Sequence, residues 1–389
     1  MGAVTPAVTP AKALTAAAPS PASPSTARAI NDRLALRLLQ EEGPLTATQL
    51  KAMTGLSRPS VADLVERLTG AGLIEVVGQS GEQRRGPNAR VYGIVARRAY
   101  LAALDVRTDS ATAVVTDLLG RPLAQAALPV DAVDEAVDLL EALGREAGAD
   151  RLHTVVVGAP GLVAEGGDLR STVGLPTWHG ELVAALQRRL PATVAVENET
   201  NLAALAEQRV GVARDLDSFV LLWLGAGVGA AVVLDGRLRR GASGGAGEIG
   251  FLPVPGTGRL PSATDCGGGF HALVGRDAVA RLAAEHGWTG PVEEAVSGAA
   301  GEGFVDALAE RLALGAAAVA AVLDPGCLVL AGGLGDAGGA ALAAAVARRL
   351  TTLTPVPMEV RATALGDAAV LTGARLAARE AAQAELFTP

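Results

Sequence analysis

Four polar side chains, Glu197, Asn198, Glu199 and Asn201, crowd the point where the apolar run "TVAV" gives way to "LAALAEQ". Carboxylates and amides at a strand end suit one of two chemistries. Either a carboxylate acts as a general base on a reacting hydroxyl, or the group grips the hydroxyls of a ligand. Other residues could face the same ligand: the Gly158–Gly161 loop of "VVVGAPGLV", the aromatic Trp178 beside His179, Asp105 in "LDVRTDS", and Glu248 in "GEIGF". The alternation at 195–208 reads as a strand running straight into a helix, which would place Glu199 on the helix's first turn.

A second set of residues points to a different partner. Residues 28–98 hold eleven Arg or Lys against seven Asp or Glu, a net of +4, whereas residues 99–389 carry a net of −13. A basic module on an acidic body suits a polyanion that meets the first part only. Within that module Ile30, Leu34 and Leu38 have helical spacing. "GPLTATQLKAMTGLSRPSVADLVERLTGAGLIEVV" then reads as helix, tight turn, helix and strand. Thr46 and Gln49 have capping-box spacing, Gly55 supplies the turn, Ser57 is an N-cap, and Pro59 in the first helical turn costs no hydrogen bond. Leu50, Met53, Val61, Leu64 and Leu68 are the expected small core. A basic loop, "GQSGEQRRGPNA", and a returning strand, "RVYGIV", complete a winged helix-turn-helix. The second helix of such a motif enters the major groove with its N-terminal half. The expected DNA-binding residues are therefore Thr46, Ser57, Arg58, Pro59 and Ser60, with Arg84, Arg85, Asn88 and Arg90 in the wing. Asp63 and Glu66 would repel the backbone if they faced it, and use of the module for protein contacts is the alternative.

The body is α/β and carries a weak internal repeat. "YLAALDVRTDSATAVVTDLLGRPL" and "FVLLWLGAGVGAAVVLDGRLRRG" both run strand, small or polar turn, strand, Gly-Arg turn. Two related lobes, each opening with a hairpin that borders a cleft, follow from that reading. The expected divisions are a disordered Ala/Pro/Ser-rich tail at 1–27, the winged helix at 28–98, and lobes at 99–213 and 214–389. A last helix, about 367–384, is expected to pack back on the first lobe.

In order and spacing, "TGLSRPSVADLVERLTGAGLIE", "RRGPNARVYGI", "VVVGAPGLV", "VENETNLAALAE", "GAGVGAAVVLDGRLRRGASGGAGEIGF" and "LDPGCLVLAGGL" resemble the ROK family (repressors, open reading frames, kinases). The resemblance spans roughly residues 28–385 and is closest to the family's transcriptional regulators. It implies a two-lobed actin-like, sugar-kinase-like body behind the DNA-binding head, a sugar site in the cleft, and oligomers built on dimers.

Departures from the kinase pattern matter. After Asp105 the family's paired glycines, which approach nucleotide phosphates, are replaced by Arg107 and Thr108. The second hairpin keeps Gly225, Gly227 and Gly229, which tight hairpin geometry explains equally well. The family's general-base Asp is Glu199 here, and a carboxylate displaced by roughly 1 Å can cost about 100-fold in rate. Kinase activity is therefore not expected. In the sugar-binding element Glu248 is kept but Phe251 replaces a His, and Leu273 replaces a Glu. Cys266 and His271 are remnants of the family's zinc loop, but Thr264 and Phe251 cannot complete a tetrahedral site, so neither zinc nor any other cofactor is expected. The expected effector-binding residues are Gly161, Trp178, Asn198, Glu199, Glu248 and Phe251. A sugar, amino sugar or sugar phosphate held in a modified way, a less polar or amino-bearing ligand, and a vestigial cleft all remain open. The reading is a homo-oligomeric repressor of carbohydrate-related genes on pseudo-palindromic operator DNA. A sugar kinase with an accessory DNA-binding head is the alternative. With no signal peptide or membrane span in the sequence, the protein is expected in the cytoplasm.

Overall fold

The computed structural model describes residues 24–80, 89–163, 169–170 and 177–387. Its first helix, α1 (Pro24–Glu41), starts four residues inside the segment read as a tail, and residues 1–23 lie outside the described residues. A two-residue strand, β1 (Leu45–Thr46), leads into α2 (Ala47–Thr54). The capping box forms: the Gln49 N–H donates to Thr46 Oγ1 at 3.3 Å, and the Thr46 N–H donates to Gln49 Oε1 at 2.9 Å. Gly55, at φ +70°, ends α2 in the left-handed region that a side chain would strain. Helix α3 (Arg58–Gly70) follows, its start closed by Ser57 Oγ accepting the Ser60 N–H. Antiparallel strands β2 (Ile74–Ser80) and β3 (Ala89–Ile94) form the wing, with sheet order β1-β3-β2.

Leu50, Val61, Leu64 and Leu68 are buried as expected, with Leu36 and Ile74 beside them. Met53 is 42% exposed and does not join this core. It lies about 60° around the helix from Leu50, at the edge of a short helix's apolar stripe. The unit ends at Ile94, and a second compact unit covers Val95–Leu386. The body thus begins four residues before the expected junction, because the turn at Ala96–Arg98 is tied into it by the Leu118 N–H donating to the Ala96 carbonyl.

The body's first lobe holds β4 (Tyr100–Val106), β5 (Ala111–Asp117), β6 (Pro122–Leu128), α4 (Val133–Glu146) and β7 (Thr154–Ala159). A short ribbon, β8 (Leu162–Val163) and β9 (Leu169–Arg170), precedes α5 (Trp178–Arg189), β10 (Thr193–Asn198) and α6 (Glu199–Val210). The second lobe holds β11 (Phe219–Leu224), β12 (Val228–Leu234), β13 (Arg237–Arg239), α7 (His271–Val274), α8 (Arg276–Glu285), α9 (Val292–Glu294) and α10 (Glu302–Leu323). Strand β14 (Cys327–Ala331), α11 (Gly332–Leu353) and β15 (Glu359–Ala362) complete it, and α12 (Ala369–Leu386) ends the body.

The two sheets have one plan. Their orders are β10-β7-β4-β5-β6 and β13-β12-β11-β14-β15, each an antiparallel three-strand meander extended by two parallel strands. This shared plan accounts for the weak repeat in the sequence. Among the described residues no helix is long and apolar enough to cross a membrane.

Helix α12 packs on α6, β4 and β7. The approach is so close that a Cβ at Gly373 would lie 2.0 Å from the Leu202 carbonyl oxygen, and one at Gly158 would lie 2.7 Å from Leu202 Cδ1. The far end of α6 is anchored by Glu207, which is fully buried. Its Oε2 accepts the Val212 N–H at 2.8 Å, and its Oε1 accepts the Ala364 N–H at 3.2 Å and the Thr363 hydroxyl. Glu207→Ala would leave these donors buried and unpaired. It is expected to destabilise the body by about 3 kcal/mol or more in chemical denaturation, with Glu207→Gln losing distinctly less.

Candidate functional site

The head's candidate DNA-binding surface is built on α3. Ser57, Arg58, Pro59 and Ser60 are all exposed on its first turn. Ser57 and Ser60 share a hydroxyl hydrogen bond at 2.9 Å, whereas Arg58 has no hydrogen bond or ion pair among the described residues. Asp63 is neutralised locally, since Arg67 bridges it to Asp32, the latter at 2.6 Å. Thr46 does not belong to this surface. It is 6% exposed and its hydroxyl is engaged in the capping box, so it positions α2 and is not open to DNA. Arg90 is exposed on β3, while Arg84, Arg85 and Asn88 lie outside the described residues.

In the body, the ends of β4, β10 and α12's lead-in converge. Asp105, 6% exposed, closes β4. The Arg107 guanidinium donates to Asp105 Oδ2 from Nε and Nη2 at 3.1 and 3.0 Å. It also reaches the Asp367 carboxylate and carbonyl at 3.1 and 2.9 Å. Asp105 Oδ1 is buried without a partner among the described residues. Glu199, on the first turn of α6, keeps a little surface open but is enclosed on most sides. Burial, reinforced by the Asp105 charge and opposed by Arg107, pushes its carboxyl up to about 7. Burial likewise pushes the Asp105 carboxyl upward against the pull of Arg107.

His179 also joins this cluster. Burial lowers its affinity for a proton, so the neutral ring donates from Nε2 to the Arg107 carbonyl at 3.0 Å. Trp178 packs edge-on against it, 6% exposed, inside the first lobe's apolar core. The expectation that Trp178 faces a ligand is therefore corrected: α5 directs it inward, where its apolar ring gains more by burial.

A separate small pocket of about 20 Å³ lies between the lobes. Gly161, Asn198, Thr200 and Asn201 line it from the first lobe, and Gly229, Ala230, Gly244, Ala246, Gly247 and Glu248 from the second. Asn198 is largely engaged. Its Oδ1 caps α6 by accepting the Thr200 and Asn201 N–H groups, and its Nδ2 donates to the Gly161 carbonyl at 2.9 Å. It shapes the pocket and keeps one amide N–H for a ligand. Glu197 accepts the Asn198 N–H and Asn201 Nδ2 on Oε1, and Arg240 Nε on Oε2 at 2.8 Å, an ion pair that joins the two lobes. Thr200 and Arg240 escaped the sequence reading, although Thr200 sits between two residues it singled out.

Two other expected ligand residues fall outside this pocket. Phe251, in the turn Ile249–Phe251, is half-buried with its main chain against Gly269. Glu199 answers to the Asp105–Arg107 cluster. Cys266 is half-buried and His271 opens α7, and no group of three or more His, Cys, Asp or Glu that could hold a metal forms among the described residues. A larger groove of about 500 Å³ on the second lobe, lined by Leu273, Arg311, Leu314, Arg349 and Leu353 among others, lies apart from these polar clusters. The convergence of polar groups from both lobes, and not volume, makes the small pocket the candidate site.

Residues 101–381 match the ROK family, and residues 30–86 match the MarR family. The chain belongs to the ROK family. The xylose repressor of Bacillus subtilis is 24% identical over 233 residues, 58% of this chain and 60% of that protein. The chain thus spans about three-fifths of the length of that relative. A solved ROK family transcriptional regulator, a homologue of the Escherichia coli MLC protein, superposes with a TM-score of 0.75 over 93% of this chain and 98% of that one, at 20% identity. The ROK hexokinase of Thermus thermophilus superposes with a TM-score of 0.60 over 73% of this chain and 99% of that one, at 27% identity. The first likeness extends through the winged helix, and the second covers a share close to that of the ROK body alone.

Within this ROK body, Glu199 couples folding to pH. The fold raises its carboxyl from 4.5 to about 7, so the folded chain holds a proton that the unfolded chain has released. The stability this supplies is complete below pH 4.5 and is lost as pH rises through about 7. Glu199→Gln, permanently neutral, should match the wild type in calorimetric stability at pH 4 and exceed it at pH 8 by roughly 3 kcal/mol. Equal effects at both pH values would contradict the assignment.

Proposed function

We propose that the chain is a DNA-binding transcriptional regulator, a repressor of carbohydrate-related genes whose hold on its operator responds to a small effector in the interlobe cleft. The observation that carries this reading is the union, in one chain, of a MarR-type winged helix with a ROK body. The exposed, unpaired Arg58 on the first turn of α3 supports it, since an arginine there can reach guanine edges or phosphates. Two copies would present two such helices about one turn of DNA apart, which suits a pseudo-palindromic operator in the cytoplasm. The named similarity to a xylose repressor supports the carbohydrate link.

Phosphoryl transfer fits this chain poorly. The place of the glycine turn is taken by Arg107, its guanidinium held by Asp105 and Asp367, so side chain stands where backbone would approach phosphates. We therefore infer a sensing body and not a kinase. An effector acts only if it favours one lobe arrangement over another, since equal affinity for both shifts nothing.

A gel shift on the gene's own upstream DNA tests the reading, run with and without a sugar panel. Arg58→Ala is expected to weaken operator binding about ten-fold or more while leaving the melting curve unchanged. Undiminished binding by that variant would remove α3 as the recognition helix.

A further inference from the structure

Away from both polar clusters, α12 carries two cations that the fold leaves without a counter-charge. Arg375 and Arg379 stand four residues apart on this helix, so they rise from one face about one turn apart. That face meets the turn between β5 and β6. Arg375 Nη2 donates to the Gly120 carbonyl at 3.0 Å, and Gln383 Nε2, one turn beyond Arg379, donates to the Leu118 carbonyl at 3.0 Å. Gly120 has φ +81°, and a Cβ there would lie 3.4 Å from Arg379 Cδ, so the Arg379 stem runs along the turn.

Both arginines are half-buried, and in each the Nε is buried without an acceptor. Arg379 makes no hydrogen bond or ion pair among the described residues, and Arg375 has only the Gly120 carbonyl. The carboxylates of the neighbourhood are spent elsewhere. Asp117 accepts the Leu119 and Arg121 N–H groups at 2.9 Å, and Glu380 accepts Arg209 Nε at 3.1 Å. Burial lowers the affinity of both guanidiniums for a proton; at Arg379 Glu380 opposes this, while the Arg209 and Arg375 charges add to it. Enclosed cations without acceptors are costly, and a buried polar group that the protein leaves unpaired commonly marks the place of an ion or water.

The shape of the donors selects the anion. One carboxylate has two oxygens, which a single guanidinium fork fills. A phosphate group has three or four acceptor oxygens and about two negative charges, enough to accept from two arginines together. The geometry points to an oxyanion site at Arg375 and Arg379 that takes a phosphate group, as inorganic phosphate or a phosphate monoester. The terminal amino groups of Arg379, neither bonded nor fully buried among the described residues, receive it, and Arg375 completes the grip. None of these residues lines the interlobe pocket, so the site is distinct from the cleft.

Isothermal titration of the full-length protein at pH 8 and fixed ionic strength tests this, with inorganic phosphate, glycerol 3-phosphate and acetate as probes. At least one of the two phosphates is expected to bind about ten-fold or more tightly than acetate, the scale of a charge-assisted hydrogen bond. Tighter binding of glycerol 3-phosphate assigns the site to monoesters, tighter binding of inorganic phosphate assigns it to the free ion, and both outcomes uphold it. Arg379→Met keeps the apolar stem and removes the charge. It should weaken phosphate binding about ten-fold or more and abolish the rise in melting temperature that phosphate gives the wild type. In chloride its melting temperature should match or exceed the wild type's, because an uncompensated cation has gone. Arg379→Lys, which keeps the charge and loses the fork, should also weaken phosphate binding. Equal binding of acetate and both phosphates, or phosphate binding that survives Arg379→Met, overturns the inference.

Discussion

The body depends on how closely helix α12 lies against α6. At Gly373 no side-chain carbon fits, because the Leu202 carbonyl oxygen occupies its place, and Gly158 makes the same concession on β7. These two absences of a side chain bring the last helix of the chain onto the first lobe's sheet and fix α6 between that sheet and the second lobe. Asn198, at the N-terminus of α6, and Glu207, near its C-terminus, then settle what each end of the helix touches. Without the close crossing, the strand end carrying Glu197 and Asn198 would have no fixed position relative to Gly229 and Gly247 in the second lobe.

Two polar centres result, and their electrostatics differ. The cluster of Asp105, Arg107 and Asp367 contains its own cation and leaves one Asp105 oxygen unpaired, with the Glu199 carboxyl beside it. The interlobe pocket is satisfied on its first-lobe wall and open on Glu248. One centre is held together by its own guanidinium, and the other faces the pocket.

Much of the fold was legible because it rests on local rules. Caps, turn glycine and alternation define the head within a few residues of chain, and the repeat of hairpin plus turn anticipates two lobes of one plan. The site was less legible because its partners are remote. Arg107 meets Asp367 across 260 residues of sequence, and Glu197 meets Arg240 across 43. Asn198 looks available in the sequence yet is largely consumed by Gly161 and its own helix, Thr46 is consumed by a cap, and Trp178 by the core. Residue type indicates what a side chain can do, but only tertiary structure shows which of its hydrogen bonds are already made.

Helix α6 has twelve residues, about 18 Å of rigid rod. Near its two ends stand the carboxylates of Glu197 and Glu207, one bound to Arg240 and the other to the chain that leads into α12. A rod anchored at both ends transmits displacement as a tilt and does not absorb it. Arg240 and the Thr363–Ala364 segment both belong to the second lobe, so this one helix ties the two lobes together at both of its ends.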